Sequence, residues 1–90
     1  MRTYAVDNPE FFCFQIEEDD KVYKIPLIPS MTNKEIKAFD ETGADYMRQV
    51  EWLRGYIGDV VDDMTISTTT SILKDWRKES ESKGATLGES

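Results

Sequence analysis

The chain has 90 residues and a net charge of −7, and 39% of its residues are hydrophobic and 32% charged. This length suits one domain, because typical domains contain about 100–150 residues, and an acidic chain is repelled by nucleic-acid phosphates. No apolar run approaches the roughly 18 residues of a membrane span, and the first residues lack the basic-then-apolar order of a signal peptide. We therefore expect a soluble globular domain with no nucleic-acid or membrane partner.

Two strand-like runs near the N-terminus predict an antiparallel β-hairpin. Residues 11–17 and 22–27 are rich in aromatic and β-branched side chains and enclose the acidic turn 18–21. A two-residue loop at Asp19 and Asp20 sets a register in which alternate apolar side chains share one face. The expected pairs are Ile16 with Tyr23, Phe14 with Ile25, Phe12 with Leu27 and, beside the turn, Glu18 with Lys21. A loop of four or five residues is an alternative, because Asp-Asp is a weaker turn pair than Asn-Gly.

The apolar face of this hairpin needs a cover, because an isolated hairpin is marginally stable in water. Thr32 and Glu35 are spaced as a capping box, which predicts a first helix over residues 33–42 that ends at Gly43. Pro26 cannot donate to a β-ladder, so the second strand is expected to lie at an edge or to end there.

Two further helices are predicted after the first. Asp45 is placed to cap a helix over residues 46–57, in which apolar positions recur at helical spacing. Residues 59–64 form either a short helical turn or a loop. The β-branched run 65–70 favours a strand on propensity, yet a helix over Ser67–Ser82, capped by Ser67, places its apolar residues on one face and is preferred.

These elements predict an α+β fold. An N-terminal antiparallel β-hairpin packs against about three short α-helices. Residues 1–82 form a single domain, and residues 83–90 form a flexible C-terminal tail because they are small and polar.

Composition limits the chemistry that the chain can perform. It contains no histidine and a single cysteine, Cys13, which excludes histidine-based zinc sites, internal disulfides and Ser–His or Cys–His nucleophiles. The acidic turn 17–20 is interpreted as solvated, because acid–base catalysis needs a drier site. Asp59, Asp62 and Asp63 lack the spacing of a calcium-binding loop. We therefore predict a protein that is not an enzyme and that uses no metal or cofactor.

The aromatic residues are the remaining indication of function. Trp52 and Tyr56 flank the apolar stripe of the second helix, and these residue types are favoured in protein contacts. Together with Met47 they are the candidate partner-binding residues, although packing in the core is the alternative interpretation. The aromatic residues interpreted as core are Phe12, Phe14, Tyr23 and Trp76.

The order of these parts resembles the tail assembly chaperones of long-tailed, double-stranded DNA bacteriophages. The resemblance rests on a strand, a charged turn and a second strand ending Ile25-Pro26-Leu27. It rests also on an Ile72-Leu73-x-x-Trp76 helix followed by a tail ending Leu87, Gly88, Glu89 and Ser90. Together these segments cover about half of the chain. The Thr-rich entry to the last helix departs from the expected pattern.

The resemblance implies a non-enzymatic role in the cytoplasm of the host bacterium. Such chaperones bind the tape measure protein, keep it soluble until tail tube protein polymerises around it, and are absent from the mature virion. Many of their genes also give a longer product by ribosomal frameshifting. Residues 87–90 would then lie at the junction, and the longer form and the tail tube protein would be further partners.

The net charge supports an alternative function, a small acidic phage or bacterial regulatory protein that mimics DNA or inhibits a host protein. Such a protein needs a continuous carboxylate track, whereas the acidic residues here are interspersed with basic ones. The sequence leaves open the phage and host, the existence of a longer product, the oligomeric state and the surface that contacts the client.

Overall fold

The computed structural model describes residues 1–4, 9–17 and 20–83, and it confirms the predicted α+β fold. A two-stranded antiparallel sheet precedes three helices. The strands are β1 (Phe11–Gln15) and β2 (Val22–Pro26), the helices are α1 (Asn33–Asp40), α2 (Tyr46–Ile57) and α3 (Ile66–Ser82), and 3₁₀ turns cover Ile28–Ser30 and Gly58–Asp63. Of the predicted C-terminal tail, Lys83 alone belongs to the described residues.

The hairpin is antiparallel as predicted, but its register differs from the predicted one by two residues. Phe12 pairs with Ile25 and Phe14 with Tyr23, whereas the prediction placed each partner two residues later. Residues 16–21 separate the strands, since a two-residue turn needs left-handed backbone that an Asp-Asp pair adopts less readily than Asn-Gly. Because side chains alternate with period two, a shift by two preserves the predicted faces.

The residues nearest the turn lie outside the strands. Ile16 follows the end of β1 and is not paired with Tyr23, although it packs against the core in a partly buried position. The predicted pairing of Glu18 with Lys21, and the predicted loop residue Asp19, lie outside the described residues.

The two faces of the hairpin differ in burial as the alternation predicts. Tyr23 and Ile25 are buried in the core, and Phe12 and Phe14, which the sequence also assigned to the core, pack against it in partly buried positions. The opposite face is exposed and carries Cys13, Gln15, Val22 and Lys24.

Pro26 ends β2 without breaking the ladder. The Leu27 N–H donates to the Glu10 carbonyl at 2.9 Å, so Pro26 stands opposite Phe11 in a pair that exchanges no hydrogen bonds. An N–H at this position would point away from β1. Proline therefore costs the hairpin no inter-strand hydrogen bond.

The capping box predicted for α1 is confirmed. Thr32 Oγ1 accepts from the Glu35 N–H at 3.2 Å, and Glu35 Oε1 accepts from the Thr32 N–H at 2.9 Å. The helix ends two residues before the predicted end at Thr42, whose hydroxyl donates to the Phe39 carbonyl at 2.6 Å. Gly43 follows with φ of 57°, a left-handed conformation that glycine adopts without strain.

Helix α2 has the predicted bounds. Asp45 Oδ1 accepts from the Arg48 N–H at 3.2 Å and thereby caps the first turn. Gly58, with φ of 81°, ends the helix. The next segment, for which the sequence allowed either a turn or a loop, is the 3₁₀ turn Gly58–Asp63.

Helix α3 is a helix as preferred, but its N-cap is Thr65 and not Ser67. Thr65 Oγ1 accepts from the Thr68 N–H at 3.1 Å. The earlier start buries Thr69, whose hydroxyl donates to the Thr65 carbonyl at 3.0 Å, on the same face as Ile72. Burial of this face outweighs the weak helix propensity of the β-branched run.

The core lies between β2 and the three helices, and Trp76 is at its centre. Trp76 is 0% exposed, and its Nε1–H donates to the Pro26 carbonyl at 2.8 Å. Its ring lies 5.0 Å from the Phe39 ring and 5.1 Å from the Trp52 ring, centroid to centroid. The other core residues are Tyr23, Ile25, Leu27, Val50, Leu53, Ile57, Val61 and Ile72.

A second buried contact fixes the C-terminal half of α3. Ser80 is fully buried, and its Oγ accepts from the Ile28 N–H at 3.1 Å, which joins α3 to the 3₁₀ turn after β2. Within the described residues, no helix has both the length and the apolar character needed to cross a membrane.

We predict that Trp76→Phe lowers the free energy of unfolding by about 2–4 kcal/mol, because it shrinks a buried side chain and leaves the Pro26 carbonyl without its donor. Urea denaturation followed by circular dichroism measures the loss. Ile66→Ala is the control on the same helix, since Ile66 is 69% exposed. Equal stability of Trp76→Phe and the unmodified chain would contradict the central role of this contact.

Candidate functional site

Two of the three predicted partner-binding residues lie together in a shallow groove between α1 and α2. This α1–α2 groove has a volume of about 500 Å³ and is lined by Met47, Trp52, Glu41, Asp45, Arg48 and Glu51. Met47 is 63% exposed, so its thioether is available for contact. Tyr56 is not part of this groove. The role of the three residues in partner binding stays a prediction.

Trp52 is more deeply integrated in the fold than a surface anchor. Its ring lies 4.8 Å from Phe39, 5.0 Å from Tyr56 and 5.1 Å from Trp76, measured between centroids. Its Nε1–H is buried without an acceptor among the described residues. Trp52 therefore forms one wall of the aromatic core and presents only part of its surface to the groove.

Tyr56 joins α2 to the start of α1. Its hydroxyl donates to Glu35 Oε2 at 3.4 Å. Burial, together with the negative charge of Glu35, raises the pKa of Tyr56. The hydrogen bond from the Thr32 N–H is the main reason that the pKa of Glu35 is lowered. The hydroxyl of Tyr56 therefore takes part in a hydrogen bond within the fold.

Arg54 forms ion pairs with one carboxylate of α2 and with two that follow it. It binds Asp62 through two hydrogen bonds of 2.6 Å each and also lies 3.6 Å from Asp59 and 3.4 Å from Glu51. The hydrogen bond from Arg54 lowers the pKa of Asp62, and Asp62 in turn raises the pKa of Arg54. The guanidinium occupies the position that a cation would take between Asp59 and Asp62.

The described part of the chain contains no cluster of side chains that could form a metal site. There, no three side chains of His, Cys, Asp or Glu lie close enough together to hold a metal ion. Cys13 is an exposed free thiol, and its side chain lies on the outer face of the hairpin.

A larger groove opens between the hairpin and the N-terminal half of α3. This hairpin groove has a volume of about 530 Å³. Its apolar lining is Phe12, Phe14, Ile16, Val60, Met64 and Ile72, and its carboxylates are Glu17, Asp63 and Asp75. Among the described residues, none of these three carboxylates has a cationic side chain within ion-pair distance.

Three of the five α3 residues that line the hairpin groove are small, which leaves space beside the other two, Ile72 and Asp75. Ser67, Thr68 and Ser71 line the groove beneath the aromatic face of β1. Larger apolar side chains at these positions would fill the space and cover Phe12 and Phe14. Sequence reasoning missed this groove, although the Ser/Thr-rich run was the available signal.

A third groove, between α2 and α3, is basic. This α2–α3 groove has a volume of about 610 Å³ and includes Lys74, Arg77 and Lys78 together with Tyr46 and Leu73. The Arg77 guanidinium lies 5.2 Å from the centroid of the Phe39 ring, at a distance typical of a cation–π contact. The acidic chain therefore carries a local concentration of positive charge on this side.

We predict that Trp52→Ala lowers the free energy of unfolding by about 2–3 kcal/mol, because it removes three ring contacts from the aromatic core. Met47→Ala, in the same groove, changes stability little, since that side chain is mostly exposed. Chemical denaturation of the two variants measures the difference. Equal stability of both variants would show that Trp52 is a surface residue without a role in the core.

The Arg54–Asp62 pair predicts a pH-dependent contribution to stability. A carboxyl with a lowered pKa in the folded chain stabilises the fold above its ordinary value of 3.8, and this contribution is lost as the pH falls through the folded pKa. Asp62→Asn should therefore lower the urea midpoint at neutral pH, and the difference should shrink as the pH falls well below 3.8. Asp40→Asn is the control, because Asp40 is exposed on α1 and forms no ion pair with another described residue. A difference that persists at low pH would contradict this assignment.

The described residues thus form the α1–α2 groove, the hairpin groove and the α2–α3 groove as surfaces for contact with another molecule. The hairpin groove combines partly exposed aromatic rings with carboxylates that lack a cationic partner in the described chain. Comparison of the chain with protein-family models, with curated proteins and with solved structures finds no match.

Proposed function

We propose that this protein is a non-enzymatic tail assembly chaperone of a long-tailed bacteriophage, which binds the tape measure protein and keeps it soluble in the host cytoplasm. The observation that carries the proposal is the hairpin groove, in which Phe12, Phe14 and Ile16 are only partly covered. A partly open aromatic face on a small domain is suited to holding an apolar segment of another chain.

The charge of the chain supports a role in maintaining solubility. A net charge of −7 keeps both the free protein and a complex with an apolar client from self-association. The groove carboxylates Glu17, Asp63 and Asp75 place part of this charge beside the apolar lining. A bound apolar segment is therefore bordered by hydrated charges.

The order of the elements supports the more specific part of the proposal. A hairpin ending Ile25-Pro26-Leu27 precedes small helices, and a last helix carries Ile72, Leu73 and Trp76. This is the layout on which the resemblance to tail assembly chaperones rests. The tail residues 87–90, which that resemblance associates with a frameshifted longer form, lie outside the described residues.

The distribution of charge favours a client-binding role over a DNA mimic. A mimic presents carboxylates at the regular spacing of phosphates, whereas Lys74, Arg77 and Lys78 form a basic region on α3. Arg54 further engages Asp62 and Asp59 in ion pairs. These features interrupt any continuous acidic surface.

The proposal predicts that co-expression with the tape measure protein of the same genome increases the soluble amount of that protein and yields a complex. Affinity purification through a tag on the chaperone, followed by size-exclusion chromatography, detects the complex. A tape measure protein that stays insoluble and unbound would overturn the proposal.

A variant that fills the hairpin groove should weaken this complex. Ser71 is exposed and lines the groove, so Ser71→Trp places a large ring there without disturbing the core. Thr70→Trp is the matched control, because Thr70 is also exposed but lines the α2–α3 groove. Equal complex formation by both variants would show that the client binds elsewhere.

A further inference from the structure

We propose that the free edge of β1 and the adjoining hairpin groove bind an extended, basic segment of another polypeptide, which adds a third strand to the sheet. The inference deepens the proposed function, and it rests on that function only for the identity of the client. Its physical basis is the backbone of Phe11–Gln15, the side chains around it and the charge of the groove.

Among the described residues, no strand pairs with the outer edge of β1, and of its outward groups the Phe11 carbonyl accepts only a weak hydrogen bond from Cys13 Sγ at 3.9 Å. The Leu27 to Glu10 hydrogen bond fixes the alternation of the ladder, so Phe12 and Phe14 direct their N–H and C=O groups towards β2. The corresponding groups of Phe11, Cys13 and Gln15 point away from it. Within the described residues, no acceptor is present for these three N–H groups.

This edge lacks the devices that normally prevent pairing with another strand. Such devices are charged side chains, especially lysine, and proline on the edge strand. The β2 strand has both, in Lys24 and Pro26, whereas the sequence of β1 is Phe-Phe-Cys-Phe-Gln. An uncharged edge of regular backbone is a template for an added strand.

The free edge and the hairpin groove are adjacent. Phe12 and Phe14 on the inner face of β1 line the groove, and so do Gln15 and Glu17 near the end of the strand. A strand paired to β1 would therefore direct alternate side chains into the groove, towards Ile72 on α3. A bound segment could therefore form main-chain hydrogen bonds with β1 and bury its side chains in the hairpin groove at the same time.

The unpaired backbone groups favour a strand over a helix as the occupant. Any segment that fills the groove against β1 removes water from the N–H groups of Cys13 and Gln15. A helix has free main-chain groups only at its two ends, so along its length it offers β1 no acceptor, and burying a donor without an acceptor is unfavourable. A strand supplies an acceptor and a donor at every second residue.

The charge of the groove favours a basic segment and disfavours a second copy of this chain. Glu17, Asp63 and Asp75 line the groove, whereas Lys78 is the basic residue that lies beside Phe12 and Asp75 at its border, so the carboxylates outnumber the cation. Antiparallel pairing of two β1 strands would bring Glu10 of one copy near Glu17 of the other, and each copy carries a net charge of −7. Lysine or arginine beside an apolar stretch complements the groove instead.

The test uses a fluorescein-labelled peptide of about ten residues, with alternating valine and threonine and with lysines at both ends. Fluorescence anisotropy is expected to show binding to the full chain. The same peptide with glutamates at both ends should bind about tenfold or more weakly, and about 1 M NaCl should reduce the difference because the Debye length is then only about 3 Å.

Two substitutions at one position isolate the backbone contribution. Cys13→Pro removes the central outward N–H but no inter-strand hydrogen bond, and it should weaken peptide binding about tenfold or more. Cys13→Val retains the N–H and should bind as the unmodified chain does. If Cys13→Pro does not fold, the double variant Asp63→Asn with Asp75→Asn should reduce the preference for lysine ends, whereas Asp40→Asn with Glu41→Gln should not.

Amide hydrogen exchange measured by NMR locates the added strand. Bound peptide should slow the exchange of the Phe11, Cys13 and Gln15 amides, whereas the outward amide of Lys24 on β2 should keep its rate. Absence of peptide binding, equal affinity for both peptides, or protection at Lys24 instead of Cys13 would overturn the inference.

Other occupants of the edge give distinct results. Oxidative cross-linking through Cys13 together with a dimer in analytical ultracentrifugation would assign the edge to a second copy and overturn the inference. Peptide binding that appears only after deletion of residues 84–90 would assign it to the chain's own C-terminal segment, with the same consequence. If Cys13→Pro solubilises the tape measure protein as well as Cys13→Val does, the edge assignment fails while the proposed function stands.

Discussion

The hydrogen bond from the Trp76 indole to the Pro26 carbonyl is the contact on which the architecture depends. Each group needs the other, because the carbonyl of Pro26 points away from β1 and the indole N–H lies where water is excluded. The two residues are 50 positions apart in the chain. Their pairing fixes α3 beneath the end of the hairpin, and the rings of Phe39 and Trp52 then complete the packing around the indole.

The same anchoring explains why one side of the hairpin stays open. Trp76 and Ser80 hold the C-terminal half of α3 against β2 and the turn that follows it. In the N-terminal half of α3, Ser67, Thr68 and Ser71 line the groove together with Phe12 and Phe14, and their small side chains leave space between α3 and β1. The C-terminal half of α3 is therefore firmly packed, whereas its N-terminal half borders the apolar hairpin groove.

The charged side chains differ from one surface to another in whether they already have a partner within the fold. Arg54 neutralises the carboxylates after α2 within the fold, whereas the carboxylates of the hairpin groove have no cationic partner among the described residues. Lys74 and Arg77 of α3 border a separate groove, formed with α2, whereas Lys78 lies beside that groove and also beside Phe12 and Asp75. The proposed partner, with an apolar stretch and flanking positive charge, complements the carboxylates of the hairpin groove beside β1.

The sequence by itself determined the features that depend on neighbours in the chain. The capping box at Thr32, the cap at Asp45 and the inward-facing alternation of the hairpin follow from local hydrogen bonds and from the period of each element, so they were predictable. Only the tertiary structure decided the register of the hairpin, the start of α3 at Thr65 and the hairpin groove. These features depend on how distant segments compete for burial: the N-cap of α3 lies two residues before the predicted one, with Thr69 buried in the first turn, and small residues on α3 left β1 partly uncovered. A pattern of residue types along the chain does not contain the distance between β1 and α3, and that distance is what creates the site.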